Sequence, residues 1–174
     1  KILTMKRNVF LLLLCLMAVS FSLRAQNSVD IDGRLQPILD DFFEQCEKYG
    51  IGYHEKLFQL ENIDISKDLP LEEENTVLGM VTRDANGEAE DILINWAAML
   101  DPAILRVVAY HEFAHHFLDY KHTCQECNEI MAVINTSYFD IVNDWDNQVE
   151  HLFTTSPAYL AKIQKDPVVS ISME

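Results

Sequence analysis

Leu35, Ile38, Leu39, Phe42, Phe43 and Cys46 recur at i, i+3, i+4, i+7, i+8 and i+11, the rhythm of one apolar helix face. They predict an amphipathic helix that opens near Asp32 and is stopped by Gly50. Tyr53 to Ile65 alternates imperfectly and suggests a strand around Leu57 to Leu60, and Leu69 to Asn75 reads as an acidic, proline-containing loop. Thr76 to Thr82 and Asp91 to Trp96 are both β-like, and the segment Arg83-Asp84-Ala85-Asn86-Gly87 between them carries an Asn-Gly turn signal, so a hairpin is expected. Asp101-Pro102 reads as an N-cap with proline at the first helical position, and Ala103 to Leu118 then contains neither glycine nor proline. Asp119 to Asn128 is polar and reads as irregular. Asp144 is placed to cap a helix carrying Trp145, Val149, Leu152 and Phe153, Ser156-Pro157 to open a short final helix, and the tail from Asp166 reads as weakly ordered. The fold class expected is α+β: a small mixed or antiparallel sheet packed on one central helix, with further helices N- and C-terminal to it.

Composition adds an address. Met5-Lys6-Arg7 followed by the apolar run from Val9 to Phe21 has the layout of a secretory signal, and Arg24-Ala25 before Gln26-Asn27-Ser28 resembles a cleavage region. Residues 1–25 are therefore expected to be upstream and signal sequence, residues 26–174 one domain, and the mature protein periplasmic or secreted. The apolar run is short for a membrane span, no second one follows, and Cys15 lacks the small preceding residue that lipid attachment needs. The whole chain carries a formal charge of −15; without residues 1–25 it would carry nine basic and 28 acidic side chains, which argues against nucleic acid or an anionic membrane surface as partner.

The candidate chemistry is His111-Glu112-Phe113-Ala114-His115, an HExxH sequence. Residues four apart on a helix share a face, so His111 and His115 can aim two imidazoles at one cation, and Glu112 can act as a general base on water beside it. With six histidines and 28 acidic residues the pentapeptide arises by chance in roughly one or two shuffled chains per hundred, so its place well inside a helix must carry the assignment. A catalytic zinc takes three protein ligands and leaves a fourth position for water. His122, seven residues beyond His115, qualifies only if the helix ends near Leu118 to Tyr120 and the chain turns back, and no glycine there forces a turn. Glu126, Glu129, Asp119, Cys124 and Cys127 are the other candidate third ligands. Cys46 reads as a buried thiol. Cys124-x-x-Cys127 lacks a partner motif for a structural zinc site, which leaves a local disulfide or two free thiols. His116 points away from His115 and is expected to pack or face solvent, His54 and His151 have no companion, and Tyr138 is expected in core or surface, with an oxyanion role as the lesser reading.

The stretch from His111 to His122 resembles the exported, metzincin-like zinc metallopeptidases of Bacteroidetes within the zincin superfamily, which show HExxH, a leucine three residues later and a third histidine after six intervening residues (HExxHxxxxxxH). Ile130-Met131 is similar to their short Ile-Met segment. The likeness extends more loosely from Leu35 to Trp145, although Ala114 replaces a common glycine and the spacing is one residue longer than in HExxHxxGxxH, whose turn glycine is here Leu118. The resemblance implies a zincin-like fold, a Zn²⁺ cofactor held by His111, His115 and His122, Glu112 as catalytic base, Met131 as a supporting Met-turn residue, and a peptide or protein substrate. The rival expectations are a catalytically inactive zinc- or partner-binding protein of the same fold, and a thiol–disulfide protein built on Cys124 and Cys127.

Overall fold

The computed structural model describes residues 28–72 and 75–165. The signal-like segment, Cys15, the cleavage region and the tail from Asp166 lie outside them. No helix among the described residues is long and apolar enough to cross a membrane.

The architecture is mixed α and β, with a small sheet and several helices, consistent with the α+β class. A four-stranded sheet has the order β1 (Asp30–Ile31), β2 (Asn62–Ser66), β6 (Ala89–Asn95), β5 (Gly79–Arg83). The first three strands run parallel and β5 pairs antiparallel with β6, so β5 forms one edge. Two short pairs complete the β structure: β3 (Leu71–Glu72) with β4 (Asn75–Thr76), and β7 (Cys124–Cys127) with β8 (Ala132–Asn135). The helices are α1 (Gln36–Tyr49), the single turn α2 (His54–Leu57), α3 (Pro102–Phe117), α4 (Tyr138–Asn143), α5 (Trp145–Thr154) and α6 (Pro157–Lys165).

Helix α1 follows its periodicity: Leu39, Phe42 and Cys46 are buried, and Gly50 ends it in the left-handed conformation that glycine adopts without steric penalty. Burial holds the Cys46 thiol protonated, pushing its pKa up to about 12. Phe42 is the centre of the core, its ring meeting those of Tyr110, Phe113 and Phe117 on α3 and Phe153 on α5. Helix α3 is buried on most sides because α1, α4, β5 and β6 all pack on it. Its start is as expected: the Asp101 carboxylate accepts the Ala103 N–H at 2.7 Å and Pro102 occupies the first turn.

The hairpin forms as β5–β6, with Gly87 at φ 84° in the turn, but Trp96 belongs to a following 3₁₀ turn, Trp96–Leu100. The strand expected at Leu57 to Leu60 lies five residues later, at Asn62–Ser66. There Ile63 and Ile65 alternate inward against exposed Asp64, whereas His54–Leu57 coils into a helical turn whose last carbonyl, that of Leu57, is met by the Leu60 N–H. The segment expected to be irregular after Asp119 contains β7, whose residues Cys-Gln-Glu-Cys show no alternation and gain their strand geometry from pairing with β8. Ser156 caps α6 as expected, accepting the Tyr159 N–H through its Oγ, whereas α4, capped by Ser137, is an additional helix.

Candidate metal centre

Helix α3 presents His111 and His115 one turn apart, and the chain past its end returns His122 to them. The three Nε2 atoms form a near-equilateral triangle with sides of 3.0 Å (His111–His115), 3.1 Å (His111–His122) and 3.2 Å (His115–His122). Tetrahedral ligand atoms ~2.0–2.1 Å from a zinc ion stand ~3.3 Å apart, so the triangle is within a few tenths of an ångström of the one zinc requires. The far nitrogens fix the ring states. His111 Nδ1 lies 2.7 Å from the Ile130 carbonyl and His115 Nδ1 lies 2.8 Å from the Tyr120 carbonyl. A carbonyl oxygen only accepts, so both Nδ1 atoms carry protons and both Nε2 lone pairs face the centre of the triangle. Burial, reinforced by the neighbouring imidazoles and opposed by the Ile130 bond, lowers the His111 pKa to about 4 and keeps it in the neutral form that metals bind. Burial also lowers that of His115.

The bend that brings His122 back is built without glycine. Helix α3 ends at Phe117, Leu118 donates its N–H to the Ala114 carbonyl, and Asp119 takes φ 57°, the one positive φ at a non-glycine position among the described residues. Asp and Asn are the side chains that best tolerate that region. The Tyr120 N–H then bonds back to Ala114, and its phenol meets the Thr155 hydroxyl.

Of the alternative ligands, Asp119 directs its carboxylate to Lys56 Nζ at 2.7 Å. Cys124 and Cys127 are joined in a disulfide, and with Glu129 they form a cluster of their own, apart from the three histidines. Only His122 among the candidates joins His111 and His115 in one potential ligand group. The Met131 side chain is buried in the core, and its segment braces both halves of the site through main-chain atoms. The Ile130 carbonyl holds His111, and the Met131 carbonyl accepts the Thr123 N–H next to His122. His116 is buried and donates Nε2–H to the Lys56 carbonyl, and His54 stacks on Tyr53. His151 is exposed on α5.

Glu112 is only 6 % exposed and lies against β5. A Cβ placed on Gly79 would come within 2.6 Å of the Glu112 Cγ and Oε1 atoms, so the absence of a side chain at Gly79 is what lets the carboxyl reach the strand. Burial raises that carboxyl to about 8, and a cation alongside would reverse the effect by favouring the carboxylate. His111, Glu112, His115 and His122 line an open cleft of about 1090 Å³ whose walls include β5 and β8. On β8, Val133 and Ile134 are 45 % and 53 % exposed, and Tyr138, half-buried, also lines the cleft.

Strand β5 offers the cleft its unpaired edge. Asn95 N–H bonds the Leu78 carbonyl, and Gly79 and Met80 stand opposite Ile94 and Leu93. In an antiparallel ladder the bonded and non-bonded pairs alternate, which turns the N–H and C=O of Gly79 and Val81 away from β6. The buried Asn95 side chain fixes the start of this strand, donating to the Leu69 and Val77 carbonyls at 3.2 and 2.8 Å. Gly79, Asn95 and Lys56 lie outside the candidates that the sequence nominates. A lone glycine inside a strand-like run was the one available signal, since such glycines mark close backbone approach.

No known family, curated protein or solved structure matches the chain.

Proposed function

We propose that the protein is a zinc-dependent metallopeptidase of zincin-like fold, with His111, His115 and His122 as ligands and Glu112 as general base. The observation that carries this reading is the triangle of Nε2 atoms, 3.0–3.2 Å on a side, with two of the three rings held in the metal-binding tautomer by carbonyl acceptors. Three histidines with room for a fourth ligand in an open cleft match the catalytic class of zinc site better than the closed structural class. When bound there, zinc supplies a Lewis acid for a carbonyl oxygen and brings the pKa of water down to about 7.

The residues of the chain supply the rest. Glu112 accepts the proton of the attacking water on a carboxylate oxygen and returns it to the departing amine nitrogen, and its burial between α3 and Gly79 excludes competing solvent. The outward N–H and C=O groups of Gly79 and Val81 align an extended peptide by adding it to the β5 edge. The turn also favours the family resemblance. In HExxHxxGxxH the turn glycine stands three residues before the last histidine, and Asp119 stands three before His122, so the extra residue of this chain falls inside the helix. The Cys124–Cys127 disulfide suits an exported protein, since disulfides persist in oxidising compartments.

Zinc-loaded wild type is expected to cleave denatured proteins or a peptide library. Glu112→Gln should keep the metal and lose ~10²–10⁴-fold in rate. A metal-loaded Glu112→Gln protein that cleaves at the wild-type rate contradicts the mechanism.

A further inference from the structure

We propose that Lys56 is a positioning residue for the metal centre, which sets the bend that delivers His122 by holding Asp119 in its left-handed conformation. The inference rests on the three-histidine metal reading and adds a residue more than 50 positions away in sequence that touches no ligand ring. The grip is mutual. Lys56 Nζ donates to the His116 carbonyl at 3.0 Å and to the Phe117 carbonyl at 3.3 Å, both left without helical partners at the end of α3, and pairs with Asp119 at 2.7 Å. In return the buried His116 ring donates to the Lys56 carbonyl at 2.8 Å, which seats α2 against the helix end.

The electrostatics explain why a cation is needed. Asp119 places a negative charge at the C-terminus of a 16-residue helix, where the peptide dipoles already accumulate negative potential. Without a partner, that carboxylate disfavours the very turn its residue must make. Lys56 meets both the carboxylate and the exposed carbonyls; its side chain is about a quarter exposed and that of Asp119 about two-thirds, so solvent screens the ion pair in part and the two carbonyl bonds share the hold. Glycine would reach the same backbone conformation with no charge to neutralise, so Asp119 and Lys56 together do what a single glycine would do. The neighbouring connections depend on this turn: Tyr120 supplies the carbonyl that orients His115, and the Leu118 carbonyl accepts the Ala158 N–H.

The test is zinc affinity by chelator competition, with the visible spectrum of the cobalt-substituted protein, on the full chain carrying K56M, K56R, D119G or K56M/D119G. K56M should weaken zinc binding by ~10–100-fold, the range seen when a residue that orients ligands is removed, and should lose the intense bands of four-coordinate cobalt. K56R should restore binding, because a guanidinium can meet the same carbonyls and carboxylate. D119G should bind zinc as tightly as wild type, and adding K56M to it should then cost much less than K56M costs in wild type, a coupling that general loss of stability does not produce. Wild-type affinity and an unchanged cobalt spectrum in K56M overturn the inference. So does a folded K56M/D119G protein that binds far more weakly than D119G, which also decides the matter if K56M alone does not fold. Failure of the underlying metal reading looks different, since wild type itself then takes up no zinc.

Discussion

His111 and His115 reach the site by helix geometry, while His122 reaches it through a turn that the rest of the molecule must hold. The helix-borne pair stands on α3, packed on Phe42 and closed by regular hydrogen bonds, and its spacing follows from 3.6 residues per turn. The turn-borne ligand depends on Lys56 from α2, Thr155 from the end of α5 and Ala158 from α6, all remote in sequence from His122, and on the Met131 carbonyl nine residues on. One half of the candidate site is thus a local consequence of sequence and the other a tertiary construction. Substitutions in the first should remove a ligand or the base without altering the bend, and substitutions in the second should misplace a ligand that is still present.

The largest effect is expected at the helix. His111→Ala removes a candidate ligand outright and should cost more zinc affinity than the ~10–100-fold typical of supporting residues, while the metal-free protein stays folded despite losing the bond to the Ile130 carbonyl. Near-wild-type zinc binding would mean that the pair does not hold the ion. Next, Gly79→Ala places a methyl group where Glu112 Cγ and Oε1 stand 2.6 Å away, and shifting the base should lower kcat/KM by ~10²-fold while zinc stoichiometry holds. Peptidase assays beside metal analysis separate the two effects.

A smaller effect concerns pH. The buried Glu112 carboxyl has its pKa raised to about 8 from an ordinary 4.5, so between those values the folded metal-free protein keeps a proton that the unfolded chain has released. Stability therefore falls as pH rises through this window. His111, lowered to about 4 from 6.5, acts in the opposite sense below pH 6.5, because there the unfolded chain binds the extra proton. The net decline is clearest from about pH 6.5 to 8, where it should reach about 2 kcal/mol in urea unfolding with chelator present, and Glu112→Gln should flatten it. The smallest change is expected for Tyr138→Phe, which should alter kcat/KM by less than ~10-fold. A loss of ~10²–10³ would instead assign the phenol to oxyanion stabilisation.

What was legible in the sequence follows the same division. Helices α1 and α3, the Asp101-Pro102 start, the Gly50 stop and the β5–β6 hairpin all rest on short-range rules and formed, although α1 begins at Gln36 rather than near Asp32, and β5 at Gly79 because Thr76 pairs in β4 with β3. The pair His111 and His115 belongs with them. The sequence misplaces strand β2 because Phe58 and Leu60, two residues apart, mimic an alternation that the pairing partner β6 rewards only at Ile63 and Ile65. The sequence leaves open the choice between His122 and the nearby carboxylates and thiols because it depends on where the helix stops, and the stop is made by Lys56 and a left-handed aspartate. Gly79 carried a faint signal as a glycine in a strand. Asn95 and the carbonyls of Tyr120 and Ile130 carried none, since nothing local distinguishes an orienting peptide group from any other.

The most direct test is the zinc content and affinity of the purified protein beside His122→Ala. The convergence of three Nε2 atoms predicts one tightly held zinc per wild-type chain and a large loss of affinity in the variant. Stoichiometric zinc held with unchanged affinity by His122→Ala would contradict it and move the third ligand elsewhere.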